Sequence, residues 1–253
     1  MSAQSAIALV TGGSRGIGRA TVEALAQRGI DTIFTYKNNR DAADQVIAVA
    51  EQAGARALAL QLDTSDTPGF TAFADLLRHT LGQWEADRID FLVNNAGTSY
   101  SALFPEVTEE EFDKLYRVHF KGVFFLTQTL LPLIADGGRI VNVTSSVTRI
   151  ISPDSMSYAL MKSAVEMWTV YLAKELSARR IAVNAVAPGS TMTDFSGGVV
   201  RDDPEVNRQM AEATALGRAG RPEDIGQTIA SLLSPENAWI TAQRIEASGG
   251  LML

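Results

Sequence analysis

A chain of 253 residues with 46% hydrophobic and 20% charged side chains can bury a substantial core, and no Pro/Ser-rich linker or low-complexity run divides it, so one large domain is expected. The formal charge of -7 comes from interspersed acids and bases without a Lys/Arg-rich run, which argues against nucleic acid or a membrane surface as a partner. Cysteine is absent, and the two histidines, His79 and His119, stand outside any metal-ligand spacing, which sets aside disulfides, thiol catalysis and a metal centre.

The first apolar run, Ala6–Val10, is too short for a membrane span or a signal-peptide core, so a cytoplasmic protein is expected. It reads as a strand and runs into T-G-G-S-R-G-I-G, Thr11 to Gly18, which opens a helix over Ile17–Gln27 stopped by Gly29. Gly12, Gly16 and Gly18 permit a tight turn and let a pyrophosphate approach backbone N–H groups at the positive end of that helix. NAD-binding versions of such a unit place an acidic residue at the end of the second strand to hold the ribose. Here the second strand, Thr32–Tyr36, ends on Tyr36, followed by Lys37, Asn38, Asn39 and Arg40, with Arg15 inside the glycine loop. Cations around an extra phosphate favour NADPH over NADH. A helix over Arg40–Gln52 stopped by Gly54 comes next, then strands at Ala57–Leu62 and Ile89–Val93. Thr108 with Glu111 forms a capping box that opens one long helix toward Leu131. Strands at Arg139–Val143, Ile181–Val186 and Arg244–Glu246 follow, with Pro222 in the first turn of a further helix. Seven strands alternating with helices predict an α/β, doubly wound Rossmann-type domain, its parallel sheet covered on both faces and its ligands beyond the carboxyl ends of the strands.

Asn94, Ser145 and Pro188 all fall at such ends. Tyr158 and Lys162 are four apart, which stacks them on one helix face and brings an ammonium near a phenol. A fixed cation favours phenolate, so Tyr158 is the candidate general acid and Lys162 its tuner. Ser145 is placed to hydrogen-bond a carbonyl oxygen as charge gathers on it. The stretch Ser190–Leu216 carries Met192, Phe195, Val199, Val200 and Met210 without a clear period, the pattern of an irregular substrate loop for a ketone with hydrophobic substituents.

Taken in order, these motifs resemble the classical short-chain dehydrogenase/reductase family over nearly the whole chain, with 3-oxoacyl-carrier-protein reductases among the similar members. The resemblance implies a carbonyl reductase acting on a small molecule, with Ser145, Tyr158 and Lys162 as catalytic residues and Lys162 also bonded to the nicotinamide ribose. It assigns cofactor contacts to Gly12, Ser14, Arg15, Gly16, Ile17, Gly18, Tyr36, Lys37, Asn38, Asp63, Asn94, Ala96, Gly97, Tyr158, Lys162, Pro188, Gly189, Thr191 and Thr193, with Asp63 against the adenine. It also implies a homotetramer or dimer, since the helix from Thr108 and the helix carrying Tyr158, Trp168 and Tyr171 are apolar on more than one side. One departure stands out: the family's N-x-K-G motif reads H-F-K-G here, so His119 occupies the place of an asparagine held to position a relay water. A histidine there can bridge the same groups, titrate near neutrality, or simply pack. Two other functions fit the same motifs: an NAD-dependent alcohol dehydrogenase, and a catalytically silent NADPH-binding regulator.

Overall fold

In the computed structural model, which describes residues 5–253, the strands β1 (Ile7–Val10), β2 (Asp31–Tyr36), β3 (Ala57–Gln61), β4 (Ile89–Asn94), β5 (Ile134–Val143), β6 (Ala182–Pro188) and β7 (Arg244–Ala247) pair in parallel in the order β3-β2-β1-β4-β5-β6-β7. The order reverses between β1 and β4, which opens a crevice at their carboxyl ends. Strand alternation feeds two cores. Ile7 and Leu9 join one with Phe70, Leu77, Leu126 and Leu172, while Ala8 and Val10 join the other with Val22, Leu25, Val46 and Ile229. The first core is covered by α3 (Phe70–Gln83), α5 (Gly122–Leu130) and α6 (Met156–Glu175), the second by α1 (Gly16–Ala26), α2 (Arg40–Gln52) and α9 (Pro222–Leu232). Gly226 lets α9 meet α1 at backbone distance, since a Cβ there would stand 2.5 Å from the Ala20 carbonyl.

Three sequence expectations are modified. The single helix from Thr108 is divided into α4 (Glu109–Tyr116), a π turn over Arg117–Lys121, and α5. Thr108 caps α4 as expected, its hydroxyl accepting from Glu111 N. β5 begins at Ile134 rather than Arg139, because the chain bends through Gly137 (φ 77°) and regains register with β4 at Arg139. The stretch 190–216 is not irregular throughout: it contains α7 (Val199–Asp202) and α8 (Pro204–Glu212). Asp203 caps α8 by accepting from Glu205 N and Val206 N, and Pro204 presets its first turn. None of the α8 residues is buried, so the segment lacks the apolar stripe that a periodicity search requires. It hangs from the body at two clasps. Gly220 N donates to Ser190 O (2.8 Å) and Met192 N to Gly220 O (2.9 Å) at one end; Ala215 N donates to Gly250 O (3.1 Å) and Met252 N to Ala213 O (2.8 Å) at the other.

Candidate active site

The glycine loop is fixed from below by groups that sequence reasoning passed over. Thr11 Oγ1 accepts from Asn95 N (2.9 Å) and Ala96 N (3.0 Å), and Asn95 Nδ2 donates to Thr11 O (2.8 Å) and Gly12 O (3.1 Å). The signal was the second asparagine of Asn94–Gly97, of which only the first, Ala96 and Gly97 entered the expected site. Gly12 and Gly16 have φ of 66° and 54°, and a Cβ on Gly18 would lie 2.1 Å from Gly12 O, so the loop requires glycine at all three places. No side chain caps α1 and its first turn holds no acidic residue, which leaves the Gly16, Ile17 and Gly18 end of the helix open to an anion, with Ser14 and Arg15 on the turn before it. Across the crevice, a Cβ on Gly16 would touch Thr193 at 3.4 Å, so the chain after Pro188 and Gly189 faces the loop. Thr191 Oγ1 donates to Gly189 O and Thr193 Oγ1 accepts from Phe195 N, which holds that wall in a tight turn. This cradle of glycines at an uncapped helix N-terminus fits the pyrophosphate of a dinucleotide.

At the adenosine end Tyr36 is half-buried and Lys37 and Asn38 are exposed. Lys37 Nζ is paired with Asp63 Oδ2 at 2.7 Å, and the pairing, with hydrogen bonds from Ser65, holds the Asp63 carboxyl below its usual range against the opposing effect of its burial. Arg15, by contrast, is exposed and forms no ion pair among the described residues.

The reactive end gathers Ser145, Tyr158, Lys162 and His119. Ser145 follows β5, its Oγ accepting from Val147 N at 3.4 Å. Lys162 is 5% exposed, its Nζ donating to Val143 O at 2.8 Å and standing 5.6 Å from the centre of the Tyr158 ring. Burial lowers the ammonium to about 8, opposed by the charge of Glu166 one turn along α6. The expected depression of the Tyr158 phenol by Lys162 is not what dominates: burial raises it above the ordinary tyrosine value, and the Ser145 hydroxyl beside it pulls the other way.

His119 lies inside the π turn and is 1% exposed, its ring edge-on to Tyr158 with centroids 5.1 Å apart. Its Nε2 lies 2.7 Å from Thr98 O and 3.3 Å from Thr98 N; we assign the proton to Nε2 on the shorter contact to a carbonyl oxygen, which leaves Nδ1 as an acceptor. That Nδ1 is buried without a partner. Burial, then the Lys162 charge, lower His119 to about 3, opposed by its bond to Thr98; the net shift favours the neutral imidazole at neutral pH. The Asn94 side chain is spent inward. It donates to Thr127 Oγ1 (3.0 Å) and Asn142 Oδ1 (2.8 Å), and Asn142 Nδ2 donates to Thr169 Oγ1 (2.9 Å). Among the described residues no cluster of His, Asp or Glu has the makings of a metal site, and no helix is long and apolar enough to cross a membrane.

Comparison with known proteins agrees with this geometry. The family profile described as Enoyl-(Acyl carrier protein) reductase matches residues 12–252. An uncharacterized oxidoreductase of Methylorubrum extorquens is 35% identical over 245 residues, covering 97% of each chain. The hydroxynaphthalene reductase-like protein Arp2 of Metarhizium brunneum is 33% identical over 256 residues, covering 96% of this chain and 94% of its own. Among solved structures, the angucycline C-6 ketoreductase LanV with bound NADP superposes with a TM-score of 0.91 at 38% identity, over 98% of this chain and 95% of that one. With the sheet order, the glycine cradle and the Ser145, Tyr158 and Lys162 constellation in place, these matches make the chain a member of the short-chain dehydrogenase/reductase family of oxidoreductases.

Proposed function

We propose that this protein is a cytoplasmic NADPH-dependent reductase that converts a carbonyl group of a small molecule, a ketone or 3-oxoacyl compound with hydrophobic substituents, to an alcohol, with Tyr158 as proton donor. The observation that carries the reading is the grouping of three side chains: the Ser145 hydroxyl beside the Tyr158 phenol, and the Lys162 ammonium 5.6 Å from the centre of the Tyr158 ring. Bound NADPH supplies the hydride. Ser145 then donates a hydrogen bond to the carbonyl oxygen, and Tyr158 protonates it as negative charge develops there. A phenol whose proton is held by burial is an acid that stays loaded at neutral pH, and the Lys162 ammonium, 5.6 Å from the ring centre, is the nearby cation to offset the phenolate left behind. His119 Nδ1, neutral and unpartnered beside Tyr158, is the acceptor for a water through which the phenolate is reprotonated. Phe195, 5.9 Å from the Tyr158 ring between centroids, gives the entrance an apolar wall suited to such substituents, and the 190–216 segment that carries it forms the lid. Tyr158→Phe should keep NADPH affinity, read by cofactor fluorescence, while turnover of α-tetralone falls by about 100-fold or more, the scale of a lost general acid. Near-normal turnover would remove Tyr158 from the mechanism.

NADPH preference rests on Arg15 and Lys37, and the two are unequal. Each charge-assisted bond to a phosphate contributes about 1.5–3 kcal/mol. Lys37 must share its charge with Asp63, whereas Arg15 has no competing partner, so Arg15→Ala should raise the NADPH Michaelis constant more than Lys37→Ala, with both leaving that for NADH little changed. Equal losses for both cofactors would show that these cations do not read the phosphate. The exposed apolar residues of α4, α5 and α6, among them Tyr116, Phe125, Met167 and Tyr171, support assembly into a homotetramer.

A further inference from the structure

Behind Ser145 lies a chain of charged groups of which only Glu166 entered the account above, through its charge on Lys162. Thr148 ends the short 3-10 turn Ser146–Thr148, its Oγ1 donating to Glu166 Oε1 (2.9 Å). Arg244, on β7, donates from Nε to the same Glu166 oxygen (2.9 Å), from Nη1 to Glu246 Oε2 (3.0 Å) and from Nη2 toward Ser145 O (3.4 Å). Arg149 closes on Glu246 through Nε (2.8 Å) and Nη2 (2.5 Å), and its Nη2 also donates to Leu251 O (2.7 Å). Most of this is shielded: the side chains of Glu166, Glu246 and Arg244 are 17%, 18% and 27% exposed, against 57% and 67% for the surface pair Arg78 and Asp75. Shielded, multiply bonded pairs fix geometry in a way that isolated surface pairs do not.

The position of the Ser145 hydroxyl depends on this chain. Its Oγ accepts from Val147 N, inside the turn whose last residue is clamped by Glu166 and whose first carbonyl lies under Arg244. The other end of the network grips Leu251, which pairs with Thr214 at the foot of the 190–216 segment. We propose that Arg244, Glu166 and Glu246 form a positioning network that sets the Ser145 hydroxyl and links it to the base of the substrate segment. A backbone shift of an ångström in that turn moves the serine donor out of line with the carbonyl oxygen, which is sufficient for a large loss of rate. The inference rests on the catalytic reading of Ser145 given above.

The test is a double-mutant cycle of Arg244→Met with Ser145→Ala, read by kcat and KM for α-tetralone, with slow variants followed as hydride transfer from NADPH over hours. Arg244→Met alone should lower kcat about tenfold or more with the NADPH dissociation constant unchanged, Arg244→Lys should recover part of the loss, and Arg78→Met should leave kcat unaltered. On the Ser145→Ala background the same Arg244→Met change should alter kcat less than twofold, because the residue acts through the serine. Equal fold-losses on both backgrounds, or a change in thermal stability alone, overturn the proposal. If Arg244→Met does not fold, Glu246→Gln is read in the same cycle with the same expectations. A Ser145→Ala variant that keeps full turnover would instead defeat the catalytic reading itself, a result distinguishable from the others.

Discussion

Two buried polar clusters sit against the carboxyl half of the sheet and are built to opposite ends. In the first, Asn94, Thr127, Asn142 and Thr169 tie β4, α5, β5 and α6 together, and each side chain meets its neighbour within 3.0 Å. In the second, His119, Tyr158 and Lys162 crowd together with one nitrogen unspent and with ionisations displaced by burial. Both are buried and lie close to the same helices. A buried donor or acceptor left unmade costs about 1–3 kcal/mol, so the saturated cluster contributes to holding the fold, whereas the unsaturated one keeps a cost that a bound molecule relieves.

The contrast can be broken most forcefully at Asn142. Asn142→Leu, similar in shape, strands an Asn94 N–H and deprives Thr169 of its donor, and should lower unfolding free energy by about 2 kcal/mol. Urea denaturation should show the midpoint falling with its slope unchanged, and kcat of the folded protein should stay near the parent value. A fall in kcat with stability intact would make this cluster part of the reaction and dissolve the distinction. The second cluster should respond the other way. His119→Leu, which cannot accept a hydrogen bond, should lose roughly tenfold in turnover, the worth of one bond of about 1.4 kcal/mol, with less change in cofactor binding, while His119→Asn should retain most activity. Retention of parent turnover by both variants would mark His119 as packing.

The smallest effect sharpens the comparison through pH. Folded His119 is held at about 3, while in the unfolded chain an ordinary histidine ionises at about 6.5. Between these values the unfolded state binds the additional proton, so the stability is present in full above about pH 6.5 and drains as pH falls toward 3. Glu246 acts lower: its carboxyl, held at about 2 by Arg149, contributes stability above its ordinary value of 4.5 that is lost as pH falls to 2. Thermal unfolding from about pH 7 to 5 should therefore flatten in His119→Asn and keep its slope in Glu246→Gln. Identical curves for His119→Asn and the parent would mean that the histidine titrates in the folded state as it does in the unfolded chain. The activity profile should carry no ionisation from His119 near neutrality, which would leave bridging and packing as its open roles.

The sheet was legible because strand and helix periods differ and glycine punctuates them; even β7, with every residue only partly buried, was found within a residue of its limits. The π turn was not, since an extra residue inside a helix leaves the apolar pattern on either side intact. One trace of it was visible: Gly122 stands in mid-helix because a Cβ there would lie 2.0 Å from Thr64 O. The α8 helix announced itself through Asp203, Pro204 and Glu205, a start signal obscured by the missing apolar stripe. Roles inside the site divided similarly. Tyr158 and Lys162 follow from helical spacing, but whether Asn94 or Asn95 serves the cradle depends on which side of β4 each side chain leaves, and the shielding that displaces His119 is a property of the packed neighbourhood.

The two clasps of the 190–216 segment have a consequence for how such an enzyme diversifies. Its ends are fixed by backbone bonds to Ser190, Gly220, Ala213 and Met252, and the intervening residues carry little of the core. Doubling the length of a loop whose ends are already held costs only about 0.6 kcal/mol in closure entropy. The segment is thus a cassette: insertions, deletions and wholesale exchange within it can reshape the surface beside the glycine loop while the sheet and the loop keep their places, by steps that never pass through an unfolded ancestor.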